Sequence, residues 1–197
     1  VKTIKQGDDE IIIARTGYTG EEGVELFASH QMICTIWDKL MDEDVTPCGL
    51  VARDVLRLEA GFPLYGNELN DELTPLDCGL KWTVRAEKER FVGREALCDT
   101  QKPPKYRQIR LLLDRGVPRN NYPVLNSMQE EVGEVTSGTQ SPTLNKGIAL
   151  ASILNNKFST TESYSIKIRD KIYPAERYKK PFITGGYKPW NLRPQKS

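Results

Sequence analysis

Two short apolar runs, Glu10-Ile11-Ile12-Ile13-Ala14 and Val24-Glu25-Leu26-Phe27-Ala28, flank a stretch with glycine at every third position: Gly17, Gly20 and Gly23. The first run has the composition of a strand buried on both faces, and the second reads as its partner. The stretch between them therefore has to turn the chain back on itself. It is long for a hairpin connection, and long connections are where binding loops concentrate. Glycine allows positive φ and close approach of another molecule to the backbone. Tyr18 adds a flat face with a polar tip, while Glu21, Glu22 and Glu25 add acceptors without donors. A planar ligand that donates hydrogen bonds suits this inventory. An ordinary hairpin loop suits it too, and the loop alone leaves both readings open.

The rest of the chain supplies the context. Ser29 or His30 can cap a helix whose apolar positions Ile33, Ile36, Trp37 and Leu40 fall three and four apart. Pro47 is expected near the first turn of a second helix over 50–60, which Gly61 stops. Irregular punctuation follows (Pro63, Gly66, Asn67, Asn70, Asp71, Pro75), then a predicted strand Leu80-Lys81-Trp82-Thr83-Val84 and a short helix from Gly93 to Cys98. Lys102-Pro103-Pro104-Lys105 reads as a stiff polar hinge. Beyond it, residues 107–114, 122–126, 131–137, 147–154, 163–169 and 171–178 read as short strands separated by turn residues, the pattern of a small all-β barrel or sandwich. The expected class is α+β. Residues 1–102 form a partial α/β domain, 106–183 a small barrel-like domain and 184–197 a tail.

A net charge of +1 gives the whole chain no drive toward nucleic acid or membrane. The last 41 residues differ, with ten Lys and Arg against three acids, an excess open to an acidic ligand tail, an acidic partner or plain solvent. Four cysteines without a CxxC pair, and one histidine, His30, make a structural zinc site an unsuitable reading, and no metal is expected. Buried thiols in a reducing compartment are expected instead. No window approaches the run of about 20 apolar residues that spans a bilayer, and no secretory signal opens the chain, so a soluble intracellular protein is expected. Val1 is not an initiator methionine, and a preceding segment is expected as well.

Within the second helix Arg53 and Arg57 stand four residues apart, so their guanidinium groups project from nearly one face. A solvated face held by ion pairs with Asp54 and Glu59 is one reading. Presentation of a rigid cationic fork to an anionic or carbonyl-bearing ligand is the other. His30 has nothing around it that resembles a nucleophile elbow, and Thr136-Ser137-Gly138-Thr139 reads as a turn between strands rather than a phosphate loop.

Taken in order, these residues acquire a family. The run Arg15 to Leu26, then Ala52-Arg53-Asp54-Val55-Leu56-Arg57-Leu58-Glu59-Ala60-Gly61, then Leu64-Tyr65-Gly66-Asn67, resembles the aminomethyltransferases, the T-proteins of the glycine cleavage system. The resemblance continues through Thr74-Pro75-Leu76, Trp82-Thr83-Val84, Gly116-Val117-Pro118-Arg119, Tyr122-Pro123-Val124-Leu125, the run Gly133 to Leu144, and Pro181-Phe182. It implies part of the folate-binding fold of that family followed by its C-terminal β domain. The implied reaction moves the methylene carbon of an aminomethyl group, carried on the lipoyl arm of H-protein, to tetrahydrofolate and releases ammonia. By the same resemblance Glu25 matches the pterin-binding glutamate, and Arg57 and Tyr187 match folate-contacting residues. Tyr18 packs on the ligand, and Arg119 stands where the family keeps an arginine near the site.

The resemblance also marks an absence. The family's catalytic aspartate belongs to an N-terminal half that this sequence does not contain. Neither Asp54, nor Asp8, nor Asp9 can take its place, so no catalytic residue is assigned and the chain alone is expected to be largely inactive. Lipoylated H-protein and tetrahydrofolate are the implied partners, with no role for nucleic acid or membrane. The implied location is the cytoplasm in a bacterium or the mitochondrial matrix in a eukaryote. Two alternatives stay open: a non-catalytic folate-binding or assembly module, and the folate-dependent domain of a demethylating dehydrogenase. A relative active in tRNA modification is disfavoured, because its Lys-Gly-Cys motif is absent.

Overall fold

The computed structural model describes residues 1–7, 9–98, 103–161 and 163–185. By their contacts these fall into two compact units: residues 1–60 with Thr184 and Gly185, and residues 61–183.

The first unit is built on an antiparallel sheet ordered β1 (Lys2–Gln6), β2 (Asp9–Ala14), β3 (Glu25–Phe27). Strand β1 goes beyond the sequence reading; Gly7, at φ +64°, makes the tight turn that pairs it with β2. Strand β2 is not buried on both faces as its composition predicts. Ile11 and Ile13 are half-buried while Ile12 is exposed, and Phe27, the cross-strand partner of Ile12, is exposed with it. Over residues 9–13 the alternation is that of a sheet with one better-covered face, and it ends at the buried Ala14.

Helix α1 (His30–Asp42) is capped by Ser29 rather than His30. The Ser29 hydroxyl accepts from the Met32 amide at 3.3 Å and donates to Asp9 Oδ1 at 2.7 Å, which fixes the helix start to the head of β2. Helix α2 (Leu50–Glu59) starts behind Gly49, so Pro47 lies outside it instead of in its first turn. Gly61, at φ +74°, ends it as predicted.

In the second unit the predicted strands close on themselves. β4 (Tyr106–Leu113), β5 (Pro123–Leu125), β6 (Glu131–Ser141), β7 (Lys146–Leu154), β8 (Tyr164–Ile168) and β9 (Lys171–Tyr178) form a closed antiparallel barrel ordered β4-β7-β6-β5-β8-β9. Period-two alternation sets its interior: Ile109, Leu111 and Leu113 of β4 meet Val124, Val132, Val135, Ala149, Ala151, Ile153 and Ile166. The stretch 136–139, read as a turn, lies inside β6. The ladder skips a residue there, and Thr136 spends its hydroxyl on the Leu150 carbonyl at 3.2 Å.

Strand β7 is buried on both sides. Ala149, Ala151 and Ile153 point inward, and Ile148, Leu150 and Ser152 are buried outside. The irregular segment 61–80 packs on the outer side of the barrel, where Asn67 Nδ2 donates to Ser137 Oγ at 3.1 Å and Gly79 sits on the Gln108 side chain. Its own backbone is satisfied by two buried carboxylates. Glu68 accepts from the Leu64 amide at 2.9 Å, and Asp77 accepts from the amides of Thr74, Lys105 and Tyr106. Residues 80–84 do not pair as a strand. They wind into a 3-10 turn (Lys81–Thr83), in which Thr83 returns both its amide and its hydroxyl to the Leu80 carbonyl. The short helix at the end of this region forms as predicted, as α3 (Arg94–Cys98).

Burial opposes the ionisation of Asp77, but the hydrogen bonds from Thr74, Tyr106 and Lys105 together outweigh it and hold the carboxyl below its ordinary 3.8. A folded-state value below the unfolded one makes this contribution to stability complete above about pH 4 and lost as pH falls through the folded value. Asp77→Asn should therefore cost roughly 1–3 kcal/mol at pH 7. Urea denaturation between pH 7 and pH 3 should show the gap from wild type shrinking below about pH 4; a gap independent of pH would contradict this role.

Candidate functional site

The site starts from strand register. Ala14 pairs with Glu25, so residues 15–24 are closed at their base, and Glu25 sits on the same sheet face as Ile12 and Phe27. Glu25 is exposed, and the Thr16 hydroxyl donates to its Oε2. That contact holds the carboxylate at the mouth of the loop and leaves Oε1 without a partner among the described residues.

The three loop glycines are not equivalent. Gly17 and Gly23 have neither positive φ nor any atom within 4 Å of where a Cβ would stand. Gly20 alone uses the freedom of the residue. Its φ is +77°, and a Cβ there would lie 2.7 Å from Cβ of Ala60, at the C-cap of α2. The loop tip is thus pressed on the end of that helix.

Helix α2 also holds the loop through its side chains. The Arg53 guanidinium carbon stands 4.5 Å from the ring centroid of the half-buried Tyr18, within cation–π distance. Arg53 itself is exposed. Arg57, one turn further on, is only 1% exposed, and its Nε donates to Asp54 Oδ1 at 2.8 Å. The four-residue spacing had put both arginines on nearly one face. The structure separates them by depth, because Arg57, Leu58 and Glu59 are all buried in the last turn.

Of the other predicted site residues, Arg119 belongs to the barrel unit. It is exposed, follows the buried Pro118, and donates from Nη1 to the Gly138 carbonyl at 3.2 Å. Tyr187 lies outside the described residues. The first unit therefore gathers Tyr18, Glu25 and the arginine helix around one loop, with Arg53, which the family pattern did not match to the ligand, as the exposed guanidinium. Asp54 is engaged by Arg57, and Asp9 by Ser29. Near the Nε2 of His30 lies Cys34 Sγ, one turn along its own helix. Cys34 and Cys48 are exposed, so the cysteines are not uniformly buried thiols. Among the described residues no three or more His, Cys, Asp or Glu side chains converge as metal ligands, and no helix is long and apolar enough to cross a membrane.

The chain matches two family models, described as the GCVT N-terminal domain over residues 1–88 and the glycine cleavage T-protein C-terminal barrel domain over 107–183. It is similar to an aminomethyltransferase of Leptospira interrogans, 42% identical over 184 residues that make up 90% of this chain and 49% of that protein. An aminomethyltransferase of Deinococcus deserti is 49% identical over 170 residues, 86% of this chain and 46% of its own length. The crystal structure of glycine cleavage system aminomethyltransferase T from Bartonella henselae superposes with a TM-score of 0.77 at 31% identity, covering 91% of this chain and 51% of the other. The chain thus spans about half the length of the curated relatives it matches.

The depth difference between the two arginines has a measurable consequence. Arg57→Ala should cost about 3 kcal/mol, because it empties a buried site and strips Asp54 of its partner. Arg53→Ala should cost about 1 kcal/mol or less, the worth of an exposed cation–π contact. Chemical denaturation of both variants checks this, and equal losses would show that burial does not distinguish them.

Proposed function

This chain belongs to the aminomethyltransferase family, the T-proteins of the glycine cleavage system, and we propose that it supplies the folate-binding wall and the barrel domain of such an enzyme. The reaction transfers the methylene carbon from the aminomethyl group on the lipoyl arm of H-protein to tetrahydrofolate, with release of ammonia. Lipoylated H-protein and tetrahydrofolate are its partners. Its location is the cytoplasm in a bacterial cell or the mitochondrial matrix in a eukaryotic one. The barrel domain itself begins near Tyr106, behind Pro103-Pro104, while the compact unit that contains it also takes in residues from 61 onward.

The observation that carries the folate reading is Glu25: an exposed carboxylate, held from one side by Thr16 at the base of a closed loop. A carboxylate is acceptor-only, so it discriminates for a ligand edge with two adjacent donors, as a pterin ring N–H and its exocyclic amine provide. Tyr18, flattened beneath Arg53, gives a planar group a surface to lie against, and the same stack presents the Arg53 fork toward the ligand. In this reading Arg57 acts as a positioning residue, fixing the helix that carries Arg53. Arg119 and Tyr187 are read as folate-contacting on the family pattern alone.

In the family pattern the aspartate that assists proton transfer to the leaving nitrogen lies in the N-terminal half of the relatives; Asp9 and Asp54 are engaged elsewhere, and Asp8 lies outside the described residues. The chain alone is therefore a binder with little turnover. That same observation supports a second reading, a folate-binding module without transferase activity. The two separate when the chain is supplied with its family's N-terminal half: restored transfer from aminomethyl-lipoyl H-protein favours the enzyme, and continued inactivity favours the module.

The direct test is calorimetric titration of tetrahydrofolate into the chain. Glu25→Ala should weaken binding roughly 30- to 150-fold, corresponding to about 2–3 kcal/mol for leaving two pterin donors unpaired. A correctly folded Glu25→Ala variant with wild-type affinity would remove Glu25 from the site.

A further inference from the structure

The loop tip is held on a second side, at a position no family motif covers. Gly185 lies against it. A Cβ built on Gly185 would stand 2.4 Å from the Gly20 carbonyl oxygen and 2.5 Å from Oε1 of Glu21. Both distances are far inside van der Waals contact. The Glu21 carboxylate is the end of a flexible side chain and can swing away. The Gly20 carbonyl is backbone, and relieving that clash means moving the loop or the C-terminal segment.

Gly20 also meets the end of α2. A Cβ there would meet Cβ of Ala60 at 2.7 Å, and its positive φ is a conformation that side-chain-bearing residues rarely adopt. Gly20 is therefore in close contact with both the C-cap of α2 and Gly185, and both contacts exist because a residue lacks a Cβ. Glu21, whose carboxylate borders Gly185, lies in the same loop as Tyr18 and four residues before Glu25. The sequence around Gly185 reads Ile183-Thr184-Gly185-Gly186, the point at which the tail departs from the commoner family wording. The close fit is thus a property of this chain's own residues.

We propose that Gly185 is a positioning residue, and that its packing on Gly20 is a clasp that restrains the glycine-rich loop against α2. The loop needs such a device. Strand β3 is only three residues long and the loop it closes is ten, so register at the base restrains the tip weakly. A clasp on the tip pre-orders the loop before ligand arrives, and ordering removed in advance is not charged against binding. The consequence for folate rests on the reading given above; the clasp itself does not.

Hydrogen exchange on the ligand-free chain tests the clasp. Gly185→Ala should speed exchange of the amides of residues 18–23 by about tenfold or more while leaving β4 and β7 of the barrel unchanged. Truncation after residue 183 removes the clasp without introducing a clash, and should speed the same amides; it carries the test if the point variant fails to fold. Unchanged loop exchange in the truncated chain overturns the proposal. In a second arm, tetrahydrofolate should bind Gly185→Ala about tenfold more weakly. Gly49→Ala, where a Cβ meets nothing within 4 Å, should bind as wild type does. A loosened loop with unaltered folate affinity overturns the clasp as a determinant of binding. A wild-type chain with no folate affinity overturns the folate reading instead, and the exchange result still judges the clasp.

Discussion

The pairing of Ala14 with Glu25 is the contact on which the candidate site depends. Side chains alternate across a strand, so a slip of one residue in β3 would send Glu25 to the opposite face and bring Val24 or Leu26 into its place. Thr16 would then lose its acceptor, and the loop would lose the link between its base and its first residues. Register is set here by only three residue pairs, Ile12 with Phe27, Ile13 with Leu26 and Ala14 with Glu25. Two of those pairs are apolar. The half-buried Ile13–Leu26 pair penalises the slipped register, since slippage would turn Leu26 out to water.

Helix α2 serves the loop and the interior with different turns. Its early residues are exposed and send Arg53 onto Tyr18; its last turn buries Arg57, Leu58 and Glu59 in succession. A buried guanidinium is costly unless paired and hydrogen-bonded, and Asp54, one turn earlier, provides that partner from a half-exposed position. Burial of the last turn, not the intrahelical pair, fixes the helix about its own axis. Rotation that exposed Arg57 would also carry Arg53 away from the ring, so a buried turn sets the position of an exposed contact.

Much of this was legible in the residues. The barrel strands announced themselves by alternation bounded by turn residues, and five of the six were located to within about two residues at each end, a normal margin. Strand β6 ran further than predicted because Thr136-Ser137-Gly138-Thr139 looks like turn chemistry. A bulge absorbed that irregularity without ending the strand. Leu80 to Val84 failed in the converse way: its β-forming side chains sit on a 3-10 turn closed by local bonds to the Leu80 carbonyl. Helix caps followed from Ser29 and Gly61, whose chemistry is local. Depth was the illegible quantity. Nothing in the spacing of Arg53 and Arg57 says that one is 1% exposed, and nothing in the repeat of Gly17, Gly20 and Gly23 says that only the middle one is compressed. Both facts depend on what packs against the element from outside its own sequence.

That distinction bears on how the glycine-rich loop should be understood. A loop with glycine at every third position invites the reading that it is flexible and adapts to a ligand. Gly20 contradicts it, because a residue with positive φ and a neighbour inside the space of its missing Cβ is confined. The glycine is there to let the loop be gripped. Gly17 and Gly23, with open space around them, are where the chain keeps its freedom, and they sit at the two shoulders of the tip. Tyr18 and Glu21 lie between a free shoulder and the confined tip, and Glu25 is fixed at the base by register. The loop thus combines a stiff centre and a stiff root with two pliable joints, an arrangement that lets side chains adjust to a planar ligand while the backbone that presents them stays in place.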